Sequence, residues 1–328
     1  DEQIDLVLHL GDYIYEYAGI EGPRMAQPAH ALESLADYRL RYASYKRDAD
    51  LLAAHARFPF TVTWDDHEVA NNYMGDEVAA ELKAAAYRAW WEHMPVRLPP
   101  PDGSELVVDH SVDVGDLARI HVLDERQFSD PVPCRGSATA TDDYGDCPER
   151  ADDRTRLGSA QEERFAEAAG RGGVTWNLIG NPVVLAGVDG GTDAPQYYLD
   201  TWDGFPSARI RFIEQLAAID NPVVLTGDYH AGMVLDVHQR PFEQDTPVVA
   251  PEFMAPPISS PLFPADVSAR TPHLRQQLNN HGYLTVAMSR DQLTATFRVL
   301  DDVGRADSGI STGATWRVTP GSPIAEEV

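Results

Sequence analysis

The sequence contains no run of about 18 apolar residues, the length that a helix needs to cross a bilayer. It therefore predicts no transmembrane segment. It also lacks the composition of a disordered chain, because 43% of its 328 residues are hydrophobic. A chain of this length and composition can bury a large core in one domain or two.

Basic residues are scarce, since 26 Lys and Arg stand against 52 Asp and Glu, for a net charge of -26. Surfaces that bind DNA or RNA cluster Lys and Arg against the phosphate backbone, so this balance argues against a nucleic-acid partner. It suits a soluble, extracytoplasmic or salt-adapted protein. An anionic substrate would be repelled unless bound cations reversed the charge locally.

Cysteine is almost absent. Cys134 and Cys147 bound a polar stretch, CRGSATATDDYGDC, which shows no apolar periodicity. Two cysteines at the ends of a loop favour a disulfide and an oxidising compartment. Two unrelated free thiols are the alternative.

Apolar patterning predicts strands that alternate with helices along most of the chain. Buried strands are predicted in IDLVLHL (4–10), FPFTVTW (58–64), 106–126 as a pair, TWNLIGNPVVLAG (175–187) and 221–237. Helices are predicted within 34–57 and over 76–94, 159–171 and 207–219. Ser34 and Ser159 are the expected N-caps of the first helix and of the helix over 159–171.

The remaining segments favour strands and loops. Residues 281–318 alternate polar and apolar positions, as antiparallel strands do, and the Pro-rich stretch 251–272 is predicted to be an ordered surface loop. Together these patterns predict an α/β layered domain with two sheets.

Three predicted strands end in acidic or histidine-bearing loops: LVLHLGDYIYEY at 6–17, FTVTWDDHEVANN at 60–72 and VVLTGDYHAG at 223–232. Sites in open α/β sheets form beyond the carboxyl ends of strands, so these loops are expected to converge. The residues that would meet are Asp12, Asp66, His67, Asp228 and His230.

Each of these residues also has a simpler interpretation. Asp12 could cap a turn, and His230 could be a buried histidine that is satisfied by hydrogen bonds. Two adjacent acids after a buried strand, Asp65 and Asp66, repel each other without a cation. Carboxylates with imidazole suit Ca, Mn, Fe or Zn, and two such ions would clamp a phosphoryl group.

Five motifs resemble the PhoD-like alkaline phosphatases of the calcineurin-like metallophosphoesterase superfamily. They are GDYIYEY (11–17), WDDHEVANNY (64–73), LDERQFSDPVPC (123–134), TWDGFPSAR (201–209) and LTGDYH (225–230). The resemblance runs the length of the chain. It implies one metallophosphoesterase domain over residues 1–328, a two-sheet αββα sandwich, and a secreted phosphomonoesterase and phosphodiesterase. It also implies Fe³⁺ and Ca²⁺ as cofactors, with Mn²⁺ and Zn²⁺ as alternatives.

The resemblance assigns roles to individual residues. Asp12 matches the acid shared between two metals, and Tyr15 matches a phenolate ligand of iron, with a strand-edge aromatic as the alternative. His67 matches the histidine that contacts the phosphate or assists the leaving group. Three further metal ligands are implied: Asp66, Asp228 and His230.

Arg126 could pair with the substrate phosphate, or form a salt bridge to Asp124 or another acid. Asp203 could join the site or brace a turn. Several other residues near the motifs are expected to support the site or the core: Asp65 and Glu68 as support, Asn71 or Asn72 as a cap of the helix near 76, and Trp202 and Phe205 in core packing.

Two functions from different classes fit the sequence. The first is metal-dependent hydrolysis of phosphate esters, on small molecules or phospholipids. The second is a non-catalytic secreted or structural protein on the same scaffold. The second hypothesis arises because the family also draws a strand-borne ligand and a Cys ligand from upstream of GDYIYEY, and neither Cys134 nor Cys147 matches that position. We therefore expect an upstream segment. The sequence makes no prediction of oligomeric state.

Overall fold

The computed structural model describes residues 3–19, 26–134, 139–140, 146–191, 193–263 and 265–328. Within these ranges the α-helices are α1 (Leu35–Tyr45), α2 (Ala49–Arg57), α3 (Ala80–His93), α4 (Ser159–Gly170) and α5 (Pro206–Ala217). Two 3₁₀ turns span Pro148–Ala151 and Trp202–Gly204. Of the helices so described, none has the length and apolarity to cross a membrane.

The strands are β1 (Val7–His9), β2 (Phe60–Val62), β3 (His110–Val114), β4 (Ala118–Val122), β5 (Thr139–Ala140), β6 (Trp176–Asn181), β7 (Tyr197–Tyr198), β8 (Pro222–Thr226), β9 (Gly232–His238), β10 (Val248–Met254), β11 (Leu274–Leu278), β12 (Gly282–Met288), β13 (Leu293–Leu300), β14 (Ile310–Val318) and β15 (Glu326–Glu327). The largest sheet has seven strands in the order β11-β9-β10-β8-β6-β4-β3. Its strands β4, β6, β8 and β10 are parallel.

A four-stranded antiparallel sheet, β12-β13-β14-β15, faces the seven-stranded sheet. One hydrophobic cluster joins them, with Ile120 and Leu178 from the larger sheet and Phe297 and Trp316 from the smaller. The parallel pair β1-β2 borders the same space, because Leu8 packs against this cluster. The predicted α/β class with two facing sheets is confirmed.

Helices cover two further surfaces. Phe165 of α4 and Phe212 of α5 pack on the other face of the seven-stranded sheet, in a cluster with Ile179. Helices α1 and α3 pack around β2 and the loop that follows it, where Trp64 stacks on Tyr87 at a ring-centroid distance of 4.3 Å. Among the described residues, that second cluster includes none from the four-stranded sheet.

Two predicted helix starts need correction. Helix α1 begins after Ser34, whose side chain accepts the Asp37 N–H as predicted. Helix α4 has Gly158 at its N-cap, so the expected Ser159 cap is wrong. Helix α3 begins at Ala80 instead of near 76, and its N-cap makes no side-chain hydrogen bond, so neither Asn71 nor Asn72 caps it.

Two loop predictions have different outcomes. The disulfide between Cys134 and Cys147 is confirmed, with Cα atoms 5.6 Å apart. The Pro-rich stretch 251–272 is not a loop throughout, because its first four residues belong to β10, between β8 and β9. Pro251 lies inside that strand and masks its pattern in the sequence.

Candidate metal centre

The loops after β1, β2 and β8 bring their acids together at one edge of the fold. Single oxygens of Asp12, Asp65, Asp66 and Asp228 lie within 4.8 Å of one another. We call these four residues the acid cluster. A second, overlapping group joins Asp12 and Asp66 to His67 under the same limit. The convergence expected from the three strand ends is therefore present for Asp12, Asp66, His67 and Asp228, whereas His230 belongs to neither group.

The backbone of these loops adopts left-handed conformations at three of the predicted ligands. The φ angles are 56° at Asp12, 64° at Asp228 and 59° at His230. Such values are uncommon for residues with a side chain and are tolerated best where the surroundings enforce them. Gly11, at φ 114°, lies so close to the β2 loop that a Cβ there would stand 2.4 Å from the Asp65 nitrogen. The close approach of the two loops thus requires glycine.

Negative charge accumulates in the acid cluster. Burial raises the pKa of Asp12 well above its usual value, and Asp66 and Asp65 raise it further. Burial likewise raises the pKa of Asp228, with Asp65 and Asp200 adding to the effect. Buried carboxylates that repel one another are stabilised in their ionised form by a bound cation.

One atom of the cluster lacks a hydrogen-bond donor in the described part of the chain. The Asp66 Oδ1 is buried and makes no hydrogen bond. A buried carboxylate oxygen without a donor is costly unless it binds a cation. The donor set and this orphaned oxygen fit a metal ion, and the chain has an acidic cluster suited to binding one.

His67 is oriented by Glu16, an acid to which the sequence motifs assign no role. Its Nδ1 lies 2.7 Å from Glu16 Oε2, and its Nε2 lies 3.9 Å from Asp66 Oδ2. Burial lowers the pKa of His67, but the hydrogen bond to Glu16 and the charge of Asp66 outweigh it, so that the pKa is raised overall. Glu16 belongs to the GDYIYEY motif, and its position directly after the predicted ligand Tyr15 is the sequence feature that indicates a role near the site.

Tyr15 lies between two other predicted ligands. Its hydroxyl donates to Asp12 Oδ2 at 3.4 Å, and its oxygen is 3.2 Å from His230 Nε2. Burial and the nearby Asp12 raise the pKa of Tyr15, so a phenolate at this position requires a cation. Burial lowers the pKa of His230, which favours the neutral imidazole that metals bind.

Arg126 is fully buried beneath the cluster. Its Nε and Nη2 donate to the two oxygens of Asp65 at 2.6 and 2.9 Å, and its Nη2 stands 3.8 Å from Asp66 Oδ1. Of the two alternatives for Arg126, the structure shows the ion pair, with Asp65 and not Asp124 as the partner. The guanidinium is 0% exposed and has no surface through which to meet a substrate.

The other candidates lie in supporting positions. Asp203 pairs with Arg209, Nη1 to Oδ1 at 2.5 Å, and is not in either group of clustered ligand atoms. Trp202 and Phe205 are fully buried in the core, as predicted. Asn72 donates its backbone N–H to Asp66 Oδ2 at 2.5 Å, which steadies the loop after β2.

Three comparisons with known proteins agree. A family model described as PhoD-like phosphatase matches residues 1–297. Alkaline phosphatase D of Bacillus subtilis (strain 168) is 36% identical over 339 aligned residues, which cover 96% of this chain and 58% of that protein. A solved structure of PhoD matches with a TM-score of 0.91 and 33% identity, covering 100% of this chain and 66% of that one. The chain therefore spans less than two thirds of the length of these relatives.

Proposed function

The chain belongs to the PhoD-like phosphatase family, and we propose that it hydrolyses phosphate mono- and diesters at the acid cluster with the help of bound metal ions. The observation that carries this proposal is the meeting of four carboxylates from three strand ends within 4.8 Å. Such a concentration of buried negative charge suits cations, and cations in turn attract an anionic ester into an otherwise acidic protein.

We propose five metal ligands. Asp12, Asp66 and Asp228 belong to the acid cluster, and Tyr15 connects Asp12 to His230 through its hydroxyl, 3.4 Å from Asp12 Oδ2 and 3.2 Å from His230 Nε2. The proposed ions are Fe³⁺ and Ca²⁺, with Mn²⁺ and Zn²⁺ as alternatives, because carboxylate, phenolate and imidazole donors suit hard and borderline ions. When bound, such ions polarise the phosphoryl oxygens and lower the pKa of water.

His67 is the proposed proton donor to the leaving oxygen. Its Nδ1 is engaged by Glu16 at 2.7 Å, so the proton that it can give away is the one on Nε2. That atom faces the acid cluster, 3.9 Å from Asp66 Oδ2. Glu16 fixes the ring orientation and stabilises the charged imidazolium, the form that can donate.

Arg126 acts in this proposal through Asp65 and not on the substrate. Its two hydrogen bonds to Asp65 hold that carboxylate in a fixed position, and its charge partly offsets the cluster from below. We therefore replace the expected phosphate contact of Arg126 with a positioning role.

The proposed substrates are small phosphate esters or the head groups of phospholipids. We propose an extracytoplasmic location, which the Cys134–Cys147 disulfide supports, because structural disulfides persist in oxidising compartments. We further propose that residues 1–328 form one domain, which the shared hydrophobic cluster between the two sheets supports.

The test is hydrolysis of p-nitrophenyl phosphate and bis-p-nitrophenyl phosphate by the full chain, before and after chelation. Activity should be lost on chelation, return with added metal, and be absent in Asp12→Ala. Asp113→Ala is the control, since Asp113 is an exposed acid on β3 that pairs with Arg119. Hydrolysis that persists after chelation and in Asp12→Ala would refute the proposal. Metal-free protein without activity favours the non-catalytic scaffold.

A further inference from the structure

Glu68 lies beneath the acid cluster and is 1% exposed, yet it contributes no atom to either group of clustered ligand atoms. Its carboxylate accepts three backbone N–H groups: from Asp12 at 3.0 Å, from Tyr13 at 2.6 Å and from Asp65 at 3.0 Å. We propose that Glu68 is a positioning residue, which fixes the loop after β1 to the loop after β2 and so sets the spacing of the metal ligands. The inference rests on the proposed metal-dependent function.

The need for such a contact follows from the strand pairing. Strands β1 and β2 are parallel and pair over only three positions, from Val7↔Phe60 to His9↔Val62. Among the described residues, the last backbone hydrogen bond between the two segments runs from the Thr63 N–H to the His9 carbonyl, at 3.0 Å. The ligands Asp12 and Asp66 lie beyond this bond, so the backbone hydrogen bonds between β1 and β2 do not fix their separation.

Glu68 connects the two loops beyond the last backbone hydrogen bond between β1 and β2. The N–H groups of Asp12 and Tyr13 belong to one loop and the Asp65 N–H to the other, and a single carboxylate binds all three. Buried N–H groups need acceptors, and a charged acceptor makes shorter and stronger hydrogen bonds than a carbonyl. Asp12 has a left-handed backbone, with φ 56°, and its N–H donates to this carboxylate.

The contacts differ between the two carboxylate oxygens, which makes a conservative substitution informative. Oε2 accepts from Asp12 and Asp65, whereas Oε1 accepts from Tyr13. In Glu68→Gln one oxygen can keep two of these bonds, but the amide group presents a donor to the third N–H. The side chain keeps its size and loses one of its three hydrogen bonds to the loops.

Glu252 provides a matched control elsewhere in the core. It is fully buried on β10, and its Oε2 accepts the Ala186 N–H at 2.7 Å. Its Oε1 accepts the Leu185 N–H at 2.9 Å and the hydroxyl of Thr226, at the end of β8, at 2.6 Å. In Glu252→Gln the amide oxygen can keep both Oε1 bonds, including the one from Thr226, while the amide nitrogen faces the Ala186 N–H. The variant should therefore lower stability in a similar way without moving the ligand loops.

The experiment titrates Mn²⁺ into chelator-treated full chain by calorimetry, and records the Tm of each variant. Loss of a residue that orients metal ligands typically weakens metal binding by about 10–100-fold, so Glu68→Gln should bind Mn²⁺ at least about tenfold more weakly than the wild type. Glu252→Gln should lower the Tm and keep the wild-type Kd. A Kd in Glu68→Gln equal to that of the wild type, or weakened no more than in Glu252→Gln, would overturn the inference.

Hydrogen exchange supplies a second readout that does not depend on metal or activity. Peptides over 11–15 and 63–68 should exchange faster in metal-free Glu68→Gln than in metal-free wild type, and equal rates would contradict the inference. If Glu68→Gln does not fold, Glu68→Asp is measured in its place by the same criteria. If neither folds, Glu68 serves folding and the inference is overturned.

The outcomes for the wild type separate this inference from the proposed function. A wild-type chain that binds Mn²⁺ but hydrolyses no phosphate ester refutes the hydrolase, and the comparison of Glu68→Gln with Glu252→Gln still decides the role of Glu68. A wild-type chain that binds no Mn²⁺ overturns the positioning role together with the metal site.

Discussion

Two buried regions of this molecule differ in how far their negative charge is balanced by nearby cations. In the core under α5, Asp203 has its own cation, Arg209, at 2.5 Å. In the acid cluster four carboxylates meet, and among them Arg126 hydrogen-bonds only to Asp65. A buried charge without a partner is costly. The Asp203–Arg209 pair therefore favours stability, whereas the acid cluster keeps an excess of negative charge that a bound cation can neutralise.

Asp12→Asn should produce the largest effect on activity. It removes one of the two charges that both groups of clustered ligand atoms share, and we expect hydrolysis of p-nitrophenyl phosphate to fall by about 10³-fold, or about 4 kcal/mol of transition-state stabilisation. In chelator, the same variant should have a higher Tm than the wild type, because repulsion from Asp66 and Asp65 is relieved. A lower Tm under those conditions would show that Asp12 is primarily structural.

Asp203→Asn should have the opposite profile. It leaves Arg209 buried without its counter-charge, and breaking such a pair costs about 3–5 kcal/mol of unfolding free energy. We expect urea unfolding to reveal this loss, while kcat of the folded fraction stays at the wild-type level. A large fall in kcat with little loss of stability would place Asp203 with the acid cluster and remove the contrast.

The sequence was sufficient to predict where the acids meet. Asp12, Asp66 and Asp228 follow strands, and the carboxyl ends of strands in α/β proteins gather at one edge. Their partners could not be predicted in the same way. The contacts of Glu16 and Glu68 depend on loop directions that are set by left-handed backbone at Asp12 and by the close approach of Gly11.

Tertiary contacts also explain the misplaced elements. Residues 76–79 have helical composition, yet α3 begins at Ala80 because the buried Lys83 binds the Gly75 carbonyl at 2.8 Å and holds the preceding turn. Ser159 is a good cap by residue type, but Gly158, at φ 74°, occupies the N-cap position. In both cases the contacts of the segment before the helix, and not the helix propensity of the local sequence, determine where the helix begins.

The smallest expected effect is on the pH dependence of stability, through His121 of β4. This buried histidine has neutral hydrogen-bond partners. Burial lowers its pKa from 6.5 to about 4, and its ring nitrogens contact Ser111 Oγ and Asn177 Oδ1. Between these two pKa values the unfolded chain binds more protons, so this histidine lowers stability as the pH falls from 6.5 to 4, with no further change below 4. The slope is at most about 1.4 kcal/mol per pH unit.

The check is the unfolding free energy of wild type and His121→Gln, each measured in urea at several pH values. Since every other group titrates in both proteins, their difference isolates His121. The gap between wild type and variant should change across pH 6.5 to 4. A gap that is constant with pH would mean that the imidazole is not held neutral by burial.

The acid cluster should bind metal, and the paired acids elsewhere should not. Elemental analysis of the purified, dialysed chain measures this difference, with Asp12→Asn and Asp203→Asn analysed alongside. We expect bound metal, with iron and calcium the proposed elements, in the wild type and in folded Asp203→Asn, and a loss of bound metal in Asp12→Asn. Equal metal content in all three proteins, or none in the wild type after metal has been supplied, would rule out a metal site at the acid cluster.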